Sequence, residues 1–234
     1  MRLIRIVLIF FGLPLLDTLT GCAKISPTEY PTYVDRITPG IFLEETKATL
    51  KPGLSMRKVH PKGLALTKVS EGFIDHLYND PVGYCTVAYG HLIKKARCNG
   101  TEPRKFQGKV PEPFGAEVLQ GDMAGAEIVV LNALADRLEL NDGEFAALAD
   151  FAFNVGPGNF QNSTLLKRVR ARKYDQIPFE FRKWTMASGQ ILPGLVQRRE
   201  KEIALFFDES RAEISEARPT ANETIDIRVG EQPM

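Results

Sequence analysis

EGFIDHLYNDPVGYCTVAYGH, residues 71–91, changes character twice within a short span. Leu64, Leu66, Val69 and Phe73 lead into it at spacings that predict a short helix after Pro61. Proline is favoured at a helix start, and Gly72 stands where a helix would stop, so Glu71 is expected at the C-terminal end of that helix. Beyond it, Asn79-Asp80-Pro81 and Gly83 supply turn chemistry, and Tyr84 to Tyr89 is rich in aromatic and β-branched residues. That pattern predicts short strands around a turn, a small β-lobe, with Asp80 at the turn.

The chain on the C-terminal side is helical in pattern. Ala116 to Leu134 carries Val118, Leu119, Met123, Ala126, Val130 and Leu131 near helical spacing. Asn141 followed three residues on by Glu144 is a cap-like start, and Phe145 to Val155 is apolar enough for a central buried helix stopped by Gly156-Pro157-Gly158. Asn162 or Ser163 begins a basic helix through Leu165, Leu166 and Val169, and a last helix runs from about Leu195 to Phe207. Residues 208–234 are polar and acidic and are expected to be disordered. On the N-terminal side, residues 23–62 hold Pro27, Pro31, Pro39, Pro52 and Pro61 with few apolar periods, which suits an extended tether or a strap on the body. The catalytic candidate is then 63–207.

A chain of 234 residues with 44% hydrophobic content can bury one good core, in one or two lobes. The formal charge of +1 hides an asymmetry: from Asp208 to Met234 seven acids face three arginines, leaving −4 there and +5 on the rest. Such a balance implies mild attraction to an anionic surface and excludes a nucleic-acid footprint. Arg2 and Arg5 precede the apolar run Ile6 to Leu16, interrupted by Pro14 and ended by Asp17, so residues 1–22 read as a secretion signal too short to span a bilayer comfortably. Leu19-Thr20-Gly21-Cys22 resembles a bacterial lipobox, in which Cys22 would be acylated and anchor an exported, periplasmic lipoprotein to the membrane. An ordinary secretory peptide and an uncleaved signal-arrest anchor are the alternatives. Export permits disulfides; with Cys22 lipidated, Cys85 and Cys98 form a natural pair, two buried thiols being the other option. His60, His76 and His91 are dispersed, so neither metal nor cofactor is expected.

Glycoside hydrolysis requires one carboxylic acid to protonate the departing oxygen and a second carboxylate to manage water or attack the sugar carbon. Glu71 and Asp80 lie nine residues apart and Thr86 adds, six further on, a hydroxyl that can donate to and accept from a water. On spacing alone such a pair is an ordinary solvated feature. The surroundings add to it. Glu71-Gly72-Phe73, Tyr78-Asn79-Asp80, Gly83, Thr86 and Tyr89-Gly90-His91 resemble the active-site signature of the phage-type lysozymes, glycoside hydrolase family 24. Phe145 to Leu166, with Asn154, Gly156, Phe160 and Ser163-Thr164-Leu165, resembles that family's central helix and following turn. Trp184 through Pro193-Gly194-Leu195-Val196 to Arg198-Arg199 and Glu202 resembles its C-terminal segment.

The resemblance implies an α+β, lysozyme-like fold: a small antiparallel β-lobe, a larger mainly helical lobe and an active-site cleft between them. It implies a muramidase that acts as a monomer on peptidoglycan glycan strands and hydrolyses the β-1,4 bond between N-acetylmuramic acid and N-acetylglucosamine. Glu71 would be the general acid, with Asp80 and Thr86 holding the attacking water for an inverting displacement. Asn154 and Phe160 would line the cleft, and Arg198 or Arg199 would pair with the catalytic glutamate. Glu71 must then have a raised pKa, with Phe73 one candidate apolar neighbour. His91 and Trp184 read as structural. Ala88 departs from the pattern, since the family usually has glycine there; a positive φ would strain alanine, whereas an ordinary strand conformation would not. Two rivals remain: an inactive wall-binding lipoprotein of the same shape, and a lytic transglycosylase, which cuts the same bond without water.

Overall fold

The computed structural model describes residues 48–135, 139–208 and 214–231. The signal segment 1–22 with Cys22, and the proposed tether as far as residue 47, lie outside the described residues.

Helix α1 (Pro61–Glu71) starts and stops as its sequence dictates. His60 caps it through Nδ1, Pro61 opens it, and Gly72, at φ 70°, ends it by donating its N–H to Lys68 O. Val69 is 64% exposed, so the apolar face is narrower than expected. Strands β1 (Ile74–Asn79), β2 (Cys85–Ala88) and β3 (His91–Lys94) form an antiparallel sheet in that order, with Tyr78 opposite Thr86 and Thr86 opposite Leu92. Gly115 of the following helix leaves room behind the sheet: a Cβ there would lie 2.5 Å from the Phe73 ring and 3.2 Å from Ala88 Cβ. Ala88 has φ 56°, so its place at a strand end does not spare it the left-handed conformation.

The helical lobe follows. The apolar stretch expected as one helix is two, α2 (Glu112–Asp122) and α3 (Ala124–Leu134), meeting at Met123. Helix α2 buries only Gly115 and Leu119 whereas α3 is buried over most of its surface, and Gly121 weakens the helix just before the break. Helix α4 (Asp142–Val155) begins in a capping box between Asn141 and Glu144 and ends at Gly156. Short helices α5 (Pro157–Asn162), α6 (Thr164–Arg170, capped by Ser163) and α7 (Ile177–Arg182) lead to the hairpin β4 (Met186–Ala187) and β5 (Gln190–Ile191), then to α8 (Pro193–Phe206). Phe151 of α4 lies at the centre of the core, edge-on to Phe160, Phe181 and Trp184. Burying each such aromatic stabilises the fold by about 1.5–3 kcal/mol. Helix α1 approaches α4 closely because Gly63 has no Cβ; one would stand 2.4 Å from Ala146 Cβ.

Residues 48–60 run along this lobe. Val59 is buried and donates its N–H to Glu127 Oε1 (2.7 Å), and the Arg57 guanidinium covers the Phe145 ring. The C-terminal segment corrects an expectation: residues 214–231 are packed rather than disordered. Ile225 and Ile227 are buried, Ile225 N–H donates to Lys183 O and Ile227 N–H to Met186 O, and Arg182 holds the carbonyl of Ala217. Two isoleucines one strand period apart, with backbone pairing, hold a segment whose average composition is too polar for a core of its own.

Candidate active site

Glu71 projects from the last turn of α1, with its side chain 15% exposed. Its Oε1 accepts a hydrogen bond from Arg198 Nη1 of α8 at 2.7 Å. The other edge of the same guanidinium is held by Asp150 of α4: Nε donates to Oδ2 (2.8 Å) and Nη2 to Oδ1 (2.9 Å). Thr67, one turn before Glu71, donates its hydroxyl to Asp150 Oδ1 (2.7 Å). Three helices thus converge on one buried arginine, and its planar fork fixes where the Glu71 carboxyl can sit.

Burial raises the Glu71 pKa above the ordinary glutamate range; the Arg198 charge and hydrogen bond oppose that shift, and the Asp150 charge adds to it. Asp150 moves the other way: burial would raise it, but Arg198, Glu202 and Thr67 together hold it below the aspartate range, so it is ionised. Glu202, fully buried one turn along α8, is pushed well above the usual range by burial, against the pull of the Arg199 charge, while the Asp150 charge adds to the rise. Arg199 does not reach Glu71. It donates to Asn154 Oδ1 (2.7 Å) and Glu202 Oε1 (2.6 Å) and lies over the Phe151 ring. Of the two arginines singled out from sequence, Arg198 is therefore the partner of Glu71, and Arg199 anchors the layer beneath.

On the β-lobe, Asp80 closes the turn between β1 and β2. Its Oδ1 accepts from Val82 N (2.9 Å) and Tyr84 N (2.8 Å), and its backbone pairs with Tyr84 and Gly83. This is an Asx-type turn, the conformation that Asn-Asp-Pro followed by glycine favours. The second carboxyl oxygen, Oδ2, is buried and accepts no hydrogen bond among the described residues. Thr86, on β2, donates its hydroxyl to Tyr84 O (3.1 Å), so that Asp80 and Thr86 are both tied to Tyr84. The disulfide Cys85–Cys98 staples β2 to the loop after β3, which excludes the alternative of two free thiols. Cys85, Cys98 and Glu102 lie close enough to suggest metal donors, but both sulfurs are joined to each other.

The structure separates the remaining candidates. Phe160 is fully buried against Phe151, which overturns its expected place in the cleft: a side chain without exposed surface cannot touch a sugar. Asn154 is 3% exposed and its carbonyl oxygen is occupied by Arg199, so it supports the arginine layer rather than offering that oxygen to a ligand. Phe73 packs against Tyr89. His91 bonds Asp122 (2.9 Å) beside Phe106, and Trp184 is fully buried. Sequence reasoning missed Asp150 and Thr67 and quoted Glu202 without a role. The signal for Asp150 was available: a lone acid within the apolar run Phe145 to Val155 requires a buried cation.

Comparison with known proteins places these features in context. The phage lysozyme family model matches residues 68–202, which include all of α4 and both halves of the Glu71–Arg198 pair except the first turns of α1. An endolysin of Acyrthosiphon pisum secondary endosymbiont phage 1 is 30% identical over 152 residues, covering 63% of this chain and 97% of the relative. The endolysin of Bacillus phage B103 is 31% identical over 147 residues, 62% of this chain and 52% of the relative, so the match spans about half of that protein. A crystal structure of a P22 lysozyme variant superposes with a TM-score of 0.57 at 26% identity, covering 65% of this chain and 99% of that one. The muramidase domain of SpmX from Asticaccaulis excentricus gives 0.52 at 26% identity, covering 64% and 97%.

Proposed function

This chain belongs to the phage lysozyme family of glycoside hydrolases and has its α+β architecture, and from that premise we propose that it is a muramidase that hydrolyses the β-1,4 bond between N-acetylmuramic acid and N-acetylglucosamine in peptidoglycan. The observation that carries the reading is that Glu71 and Asp80 sit in unlike settings. Glu71 is held beside a buried arginine in a setting whose burial raises its pKa, while Asp80 has one oxygen fixed by backbone donors and one left over. A carboxylic acid with a raised pKa can protonate the leaving oxygen at neutral pH. Asp80 Oδ2 and the Thr86 hydroxyl are both buried in this structure; in the proposed mechanism they hold the attacking water once the turn and strand admit one, Thr86 retaining acceptor capacity for it. Arg198 stabilises the carboxylate that Glu71 becomes after it gives up the proton.

This arrangement supports single displacement with inversion, since threonine can orient water but cannot replace a carboxylate nucleophile. The inactive wall-binding alternative has no use for a buried acid with a raised pKa held on an arginine, and a lytic transglycosylase needs no second carboxylate. The same reading takes the protein to the periplasm by the N-terminal signal, with acylation of Cys22 as the proposed anchor and one copy of the chain as the working unit. Among the described residues no helix is long and apolar enough to cross a membrane. Proton NMR of the first product, taken before mutarotation, tests the mechanism. An initial α-anomer is expected, and Thr86→Ala should slow the reaction without changing it. An initial β-anomer would assign Asp80 to direct attack and overturn the water-holding role.

A further inference from the structure

The loop that follows β3 concentrates positive charge in a way the cleft chemistry does not use. Between Lys94 and Lys109 stand Lys94, Lys95, Arg97, Arg104, Lys105 and Lys109, against one acid, Glu102. That acid is turned inward, with its side chain 1% exposed. It binds Lys94 at 2.7 Å and accepts from Asn99 N and Gly100 N, and the Lys94 hydrogen bond first, then the Asn99 backbone, holds its pKa down to about 2. The one negative charge of the segment is thus spent inside the loop. Lys95, Arg97 and Arg104 are exposed and have no acidic partner among the described residues. Lys109 pairs with Asp75 at 3.3 Å, and Lys105 lies over the Phe106 ring.

The loop is also firmly built. Cys98 is bonded to Cys85, its N–H donates to Asn79 Oδ1 (2.8 Å), Gln107 Nε2 donates to Glu102 O (2.6 Å), and Phe106 is buried in the β-lobe core. Like charges on a flexible loop spread apart; here a scaffold keeps them on one short segment, which maintains a positive potential suited to an anionic partner. Its roots are Cys85, adjacent to Thr86, and Asn79, adjacent to Asp80. The loop is thus anchored to the residues that neighbour Asp80 and Thr86 in the chain.

We propose that residues 94–109 form an anion-binding finger that grips the carboxylates of the peptide stems carried by the glycan strand in the cleft. The proposal rests on the muramidase reading, because that substrate brings sugars to the cleft and carboxylate-bearing peptides to its edge. It makes the enzyme selective for peptide-bearing polymer over bare glycan. The test is the triple variant Lys95→Gln, Arg97→Gln, Arg104→Gln, with folding checked by circular dichroism. Two polymers are used, peptidoglycan with its peptides and the glycan strands left after an amidase has removed them. On the peptide-bearing polymer KM should rise about tenfold at low salt, as expected for three partly exposed ion pairs of about two- to threefold each, with kcat preserved. The difference should vanish at 1 M salt, where the Debye length is about 3 Å, and variant and parent should match on bare glycan at every salt. Co-sedimentation with the same polymers reads affinity without hydrolysis. A parent that cuts neither polymer would overturn the muramidase reading and leave the finger to be decided by that binding. Equal KM for parent and variant on peptide-bearing polymer, an equal rise on both polymers, or a loss seen only with phosphate-bearing wall polymers would overturn the finger.

Discussion

Replacing Asp150 by asparagine tests the support beneath Glu71. The side chain is fully buried and accepts three hydrogen bonds, two from Arg198 and one from Thr67. Asparagine keeps the size but loses the charge, and it turns an amide donor toward guanidinium donors. Removing one member of a buried ion pair costs about 3–5 kcal/mol. Asparagine retains one acceptor and Glu71 still faces Arg198, which puts the expected loss near the lower end, at about 3 kcal/mol. For a domain of this size that lowers Tm by about 6–12 °C. The pH dependence has a definite sign. The Asp150 pKa is lowered in the fold, so its stabilisation is present above the ordinary aspartate range and is lost as pH falls through its lower folded value. Parent and variant should therefore converge in strongly acidic solution. Activity should move as well. The Asp150 charge helps to raise the Glu71 pKa, and without it Arg198 acts on Glu71 less opposed, so the alkaline limb of kcat/KM should shift toward lower pH. Differential scanning calorimetry and a pH–rate profile read both effects. A Tm within about 2 °C of the parent at neutral pH, or an alkaline limb displaced upward, would refute the support assigned to Asp150.

Reduction of Cys85–Cys98 should loosen the β-lobe before the helical lobe melts, costing about 3 kcal/mol in the chain-entropy model; hydrogen exchange that opens both lobes together would contradict this. Ile227→Ala should cost about 2–4 kcal/mol and make the chain after Phe207 sensitive to limited proteolysis, whereas unchanged resistance would show that the backbone pairing suffices without the side chain. Ala88→Gly removes about 1–2 kcal/mol of left-handed strain and adds about 0.5–1 kcal/mol of unfolded-chain entropy, so stability should hold or rise slightly. Ala88→Val should lower Tm because its branch meets Gly115, and equal Tm values for the two variants would show that φ at this position is not a constraint.

How far sequence reaches into this protein differs from element to element. The places of Glu71, Asp80 and Thr86 on a helix end, a turn and a strand were legible because each sits on a local signal: a glycine that stops a helix, an aspartate that shapes a turn, a threonine in a β-rich run; the roles proposed for them came from the family resemblance. The capping box at Asn141 and the apolar α4 were legible for the same reason, since caps and periods are local. The Arg198 partnership came from resemblance, and only three-dimensional packing distinguishes it from Arg199, because adjacent helix positions point about a hundred degrees apart. Asp150 was hidden by its apolar neighbours. Phe160 was misplaced because a cleft aromatic and a core aromatic look alike in one dimension. The tail was misread because its packing depends on pairing with Lys183 and Met186, far away in the chain.

The central claim, hydrolysis by proton donation from Glu71, is tested most directly by mass spectrometry of peptidoglycan digested with the parent chain and with Glu71→Gln. The expected result is fragments ending in reducing N-acetylmuramic acid, each carrying one added water, from the parent, and no fragments from the variant even though it still binds the wall. Anhydro-ended fragments from the parent, or undiminished digestion by Glu71→Gln, would contradict it.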